Sequence, residues 1–356
     1  MTQVVPPSLF GLQQSNRNFA KPDSWGKNQF NSSFPAALAC WMGTHGINPI
    51  YLRLNQSSQV YHDEIRVESL FGLAVHDPNL HFHFEDAFTP YSDLIVGKFP
   101  RADLVTRHAG TAGKDALSTF EIKLTALPDS TTYDKTESAW GSELVVRPDT
   151  IVYIALSIAH TCRTNRDFLR KTLTPACTGI ANWQDGQQIR PQMNQLIAAL
   201  EQVLASLLDS ETPFLLQPIF KTQGKKSVLA DQCLDCFVWS NFALTTLFLN
   251  QAKNTSGNIT RHERSSVWLF RMLLDFATNG SVDPEVIDSL TYNTKNDKAF
   301  ASAGSVTNQY MKCQALEHPR VPKAKLREII LGGGQHFLSP ERRFDAIIVN
   351  TPGLFD

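Results

Sequence analysis

Hydrophobic and polar positions change their period along the chain, and those changes mark out its elements. Residues 102–107 (ADLVTR) and 118–124 (STFEIKL) alternate with the two-residue period of a strand. The Gly-containing stretch AGTAGKDA separates them and predicts a hairpin. Residues 150–159 (TIVYIALSIA) form an unbroken apolar run, which predicts a strand buried on both faces. Residues 192–208 and 263–277 carry apolar positions at helical spacing. Pro191 before the first of these and the acidic stretch 209–211 after it predict its ends. A short buried helix is expected over 34–44 and another helix near 62–72. Residues 214–221 and 234–250 are apolar with no deciding period, and two further apolar runs cover 326–331 and 346–349. Strands mixed with helices predict an α/β fold, a mixed central sheet flanked by helices.

Charge narrows the function. Lys and Arg total 33 against 34 Asp and Glu, a net charge of −1, so coating nucleic acid by bulk charge is excluded. Any nucleic-acid contact must come from a local basic surface. Six cysteines, at 40, 162, 177, 233, 236 and 313, are too sparse for a disulfide framework and predict reduced thiols. The N-terminal MTQVVPPSLFGLQQSNRNF lacks a basic n-region and an apolar h-region, and no 18-residue apolar stretch occurs. A cytoplasmic protein with no membrane span is expected. Neither repeat nor linker is visible, so the whole of 1–356 is expected to be a single domain.

The chemistry concentrates at Pro100-Arg101-Ala102-Asp103 and Phe120-Glu121-Ile122-Lys123. Alternation puts Thr119, Glu121 and Lys123 on one face of the second strand, with Phe120, Ile122 and Leu124 on the other. Asp103, Val105 and Arg107 likewise share one face of the first strand. A hairpin turning about Ala112 sets Asp103 opposite Glu121, with Cβ atoms about 4.5–5.5 Å apart. Carboxylates that close repel unless a cation lies between them. Two hard oxygen donors suit Mg²⁺, and the carbonyl of Ile122 offers a third. Lys123 is then set to orient or deprotonate a water attacking a phosphate. The competing reading is a surface hairpin in which Glu121 and Lys123 form a weak ion pair.

Asp103, a hairpin-length gap and then Glu121-Ile122-Lys123 on an apolar strand resemble the PD-(D/E)xK nuclease motif, with the proline displaced to Pro100. The longer run PRADLVTRHAG…STFEIKLTALPDSTT is similar to type II restriction endonucleases of the HindVP type, and ACWMGTHGINPIYL near residue 40 shares that resemblance. The similarity is placed over residues 98–132. It implies a restriction-endonuclease-like core at about 60–160, with DNA-recognition elements within 220–330. It implies Mg²⁺-dependent cleavage of both strands of double-stranded DNA at a short palindrome, GRCGYC in that family. Asp103, Glu121 and Ile122 would hold the metal, and Asp103, Glu121 and Lys123 would be catalytic. Many relatives add an acid from a preceding helix, for which Glu64 and Glu68 are open alternatives. A palindrome cut on both strands calls for a homodimer, and the host needs a separate DNA methyltransferase. Two other functions remain: a structure-specific or repair nuclease of the same fold, and a non-catalytic DNA-binding protein with a degenerate nuclease core.

Other signals are weaker. Cys233-x-x-Cys236 lacks the second ligand pair of a zinc site and reads as two partly buried thiols. His81 and His83 read as the polar face of a strand, and His160 with Cys162 lacks any oxyanion-hole signature. Gly110–Lys114 fails the phosphate-loop pattern because 108 is His and 115 is Asp. Gly332–Gly334 lacks the dinucleotide fingerprint and reads as a turn. Residues 289–327 hold Asn293, Lys295, Asn296, Lys298, Asn308, Gln309, Lys312, Arg320, Lys323, Lys325 and Arg327, side chains suited to DNA contact.

Overall fold

A computed structural model describes residues 25–54, 60–109, 116–122, 144–207, 213–222, 229–253, 258–292, 300–302, 320–326 and 328–329. The first described elements are α1 (Trp25–Thr44), β1 (Ile50–Leu54), β2 (Val60–Glu64) and α2 (Val67–Phe71). β3 (Leu80–Asp86), β4 (Ala102–His108), β5 (Ala116–Ile122) and β6 (Leu144–Val146) follow. Helices α3 (Pro148–Thr161), α4 (Arg166–Leu173) and α5 (Gly186–Ala205) lead to β7 (Pro213–Thr222) and β8 (Leu229–Ser240). Then come α6 (Asn241–Ala252), α7 (Arg261–Asn279), α8 (Val286–Ser289), β9 (Phe300–Ser302) and β10 (Val321–Pro322).

Among the described residues, eight strands make one mixed sheet in the order β2-β1-β8-β7-β5-β4-β3, with β10 also beside β8. β1 runs parallel to β8 and β5 parallel to β7, while the other pairs are antiparallel. β6 and β9 pair separately.

Period-2 alternation sorts the sheet's side chains into two cores. Tyr51, Leu104, Phe120, Ile122, Leu216, Cys236 and Val238 pack with α1 and α2. Ile50, Leu52, Val105, Phe237 and Trp239 pack with the layer of α3 to α7. A sheet covered on both faces explains why β4 carries fully buried residues at 104, 105 and 106 in succession.

The predicted strands at 102–107 and 118–124 correspond to β4 and β5, and the residues left undecided at 234–250 divide into the end of β8 and α6. Residues 150–159 are helical, not a strand: all ten are buried, so no polar stripe remains to show a 3.6-residue period. The signals of a helix start lie just upstream, with Pro148 at the first position and Asp149 in the first turn. The helix expected near 62–72 divides into edge strand β2 and the five-residue α2. Pro191 does not precede α5 but lies inside it: Asp185 caps the helix by accepting the Gln187 amide at 2.9 Å.

Candidate active site

The β4–β5 ladder has the register that alternation about Ala112 requires. Leu104 pairs with Phe120, Val105 with Thr119 and Thr106 with Ser118 before the register shifts at Arg107. One further step of that register sets Asp103 opposite Glu121. The Ile122 amide donates to Asp103 Oδ2 at 2.8 Å, which ties the Asp103 carboxylate to the end of β5. Glu121 is buried, and its neighbours on β5, Phe120 and Ile122, point into the core on the α1 side.

Glu121 faces α3. The Thr150 hydroxyl donates to Glu121 Oε1 at 3.2 Å, and both residues are buried. One turn on, the Tyr153 hydroxyl donates to the Pro100 carbonyl at 2.8 Å, three residues before Asp103. Burial pushes the Tyr153 phenol well up from its ordinary value, so it remains a hydrogen-bond donor at neutral pH. Sequence reasoning missed both contributions because it took this helix for a strand; Thr150 and Tyr153, three apart, are neighbours only on a helical face.

The other sequence expectations divide. Lys123, Gly110–Lys114, Gly332–Gly334 and most of 293–319 lie outside the described residues. Arg107 is buried and donates from Nε to Asp86 at 3.0 Å and from a terminal nitrogen to the Ala87 carbonyl at 2.7 Å, so it ties β4 to the end of β3. Glu64 pairs with Arg320 at 3.1 Å and accepts from Asn48 at 3.1 Å, while Glu68 pairs with Arg66. Glu68 sits on α2, across the sheet from the face that Glu121 presents to α3. His81 and His83 are exposed on β3, and burial and Arg107 lower the His83 pKa against the opposing pull of Asp86. Cys236 is a buried free thiol, its pKa raised by burial, and the side chain of Cys233 is outside the described set.

Among the described residues, no three or more His, Cys, Asp or Glu side chains gather into a metal-binding group. The donors that the β4–β5 register brings together, Asp103 and Glu121, are hard carboxylate oxygens, of which Mg²⁺ takes one or two beside waters and substrate phosphate. No helix among the described residues is long and apolar enough to cross a membrane.

Comparison with known proteins converges on one family. A family model described as HindVP restriction endonuclease matches residues 25–355. The type II restriction enzyme HgiDI of Herpetosiphon aurantiacus is 46% identical over 99% of this chain and 98% of its own length. The probable type II restriction enzyme HindVP of Haemophilus influenzae is 40% identical over 99% of this chain and 96% of its own. No solved structure matches.

Proposed function

The chain belongs to the HindVP restriction endonuclease family, and on that footing we propose a type II restriction endonuclease that cuts both strands of DNA at a short palindrome, with Mg²⁺ held by Asp103 and Glu121. The observation that carries the site assignment is the register of β4 on β5, which brings these two carboxylates to opposed positions at the strand ends. In an extended strand a residue's amide and carbonyl leave the same edge. The Ile122 amide reaches Asp103, so its carbonyl is suited to be a third oxygen ligand.

Bound Mg²⁺ supplies Lewis-acid stabilisation of the charge that develops on the scissile phosphate. The chain's own residues do the rest. Asp103 and Glu121 would hold the cation and, through it, set where the phosphate lies relative to the strands. Lys123, two residues beyond Glu121 and on its face by alternation, would orient the attacking water or, in its neutral form, take its proton. GRCGYC is the proposed target, taken from the family resemblance. Residues 289–327, with their Asn, Gln and Lys, are the proposed DNA-contacting segment, Arg320 excepted because its guanidinium is engaged by Asp235 and Glu64.

A palindrome cut in both strands further calls for two copies related by a two-fold axis. A mass of twice 39.8 kDa is expected from sedimentation equilibrium with and without DNA, and a monomer in both would remove this part of the reading. A separate methyltransferase protecting the host sites completes the proposed system.

The deciding experiment incubates the purified protein with unmethylated phage DNA and Mg²⁺, beside Lys123→Ala and a metal-free control. Discrete fragments that vanish in both controls, with ends mapping to GRCGYC, are expected. A smear, or cutting confined to branched or damaged DNA, would replace this reading with a repair nuclease. DNA binding without cleavage across several metals would leave a degenerate core.

A further inference from the structure

We propose that Thr150 is a positioning residue for the reaction, aligning Glu121 for the metal through a directional hydrogen bond from α3. This role rests on the reading of Asp103 and Glu121 as metal ligands and adds a residue that neither the motif nor the comparisons assign.

Proton supply sets the direction of the contact. A threonine hydroxyl has a single proton to donate and two lone pairs with which to accept. The Arg147 amide donates to Thr150 Oγ1 at 3.4 Å, which occupies one lone pair. The hydroxyl proton is directed to Glu121 Oε1 at 3.2 Å. Both side chains are more than nine-tenths buried, Thr150 at 2% and Glu121 at 8% exposure, so bulk water cannot readily replace the contact. A carboxylate whose Oε1 is held by a donor has its Oε2 turned to a fixed direction.

The helix that carries Thr150 is itself held against the other half of the site. Tyr153 donates to the Pro100 carbonyl, and its ring packs edge-on to Phe99 at 6.3 Å and against Tyr91 at 6.5 Å. Thus a single turn of α3 grips Glu121 on β5 and the approach to Asp103 on β4. Outer contacts of this kind are commonly worth about 10–100-fold in metal affinity or activity.

The test compares Thr150→Val, nearly identical in shape, with Thr150→Ser, which restores the hydroxyl, and with Glu121→Gln. Binding of Mn²⁺ to the protein without DNA is followed by the loss of the free-ion electron paramagnetic resonance signal, and circular dichroism reports folding. Thr150→Val is expected to bind Mn²⁺ about 10–100-fold more weakly, with cleavage largely recovered at saturating metal. Thr150→Ser should return to near the parent affinity. Parent-like Mn²⁺ binding by Thr150→Val, while Glu121→Gln loses it, would overturn the positioning role and leave the metal site standing. Parent-like binding and cleavage by Glu121→Gln would overturn the metal assignment and the positioning role together. If Thr150→Val does not fold, Thr150→Ala is carried through the same measurements with the same criteria.

Discussion

Asp103 accepts the backbone amide of Ile122 at 2.8 Å, so a side chain proposed as a metal ligand also closes the ladder between its strand and the next. Substitution can separate the two duties. Asp103→Asn keeps an oxygen that can accept the amide and loses the charge. Single-turnover cleavage should fall by about 10²–10⁴-fold, matching several kcal/mol of lost charge stabilisation, with little change in the urea midpoint. Asp103→Ala should show the same loss of cleavage and a further destabilisation of about 1 kcal/mol from the orphaned amide.

Thr119 gives the opposite sign. It lies on the Glu121 face of β5, 3% exposed, and its Oγ1 has no hydrogen-bond partner among the described residues. Val has nearly the same shape and no hydroxyl to desolvate. Thr119→Val is therefore expected to raise the unfolding free energy by about 1 kcal/mol in urea melts. A loss of that size would show that the hydroxyl is satisfied in solution.

Arg320 donates to both oxygens of Asp235, at 3.0 and 3.3 Å, and also pairs with Glu64. Asp235 is 1% exposed and Arg320 only partly buried. Removing the guanidinium strands a buried carboxylate, so Arg320→Met should cost about 3 kcal/mol, the lower end for a broken buried pair. Chemical denaturation at neutral pH measures it.

Burial raises the Asp235 pKa from its ordinary 3.8, and the Arg320 guanidinium and the Cys236 amide offset this only in part. A raised folded-state pKa means that the folded chain keeps the proton longer than the unfolded one. The associated stability is fully present below 3.8 and is lost as pH rises through the folded value. Asp235→Asn lacks that loss. Its stability relative to the parent should therefore improve steadily as pH rises from below 3.8, which paired denaturation curves would show. A difference that does not vary with pH would contradict the raised value.

How much of this was legible in the sequence depends on how many faces an element buries. β4 and β5 were legible because Phe120 and Ile122 alternate with Thr119 and Glu121, and because alternation about Ala112 requires one register. α3 was not, because ten buried residues in a row carry no period, and only Pro148 and Asp149 betray a helix start. With α3 misread, Thr150 and Tyr153 could not be connected to Glu121 and Pro100. β2 hid for a different reason: Tyr61, His62, Asp63 and Glu64 are all exposed on an edge strand, where alternation leaves no apolar trace. The parallel neighbours of β1 and β5 are likewise unreadable, since nothing local in Ile50 or Ile122 names Phe237 or Leu216 as the partner.

The parallel pairing of β5 with β7 also sets an order of events during synthesis. Ile122 meets Leu216 only after α3, α4 and α5 have left the ribosome, and β1 waits longer still for Phe237. Long-range closures of this kind are late steps in folding. Until β7 arrives, the strand bearing Glu121 lacks one of its two neighbours, so a chain stalled before Pro213 carries the motif without the sheet that holds it.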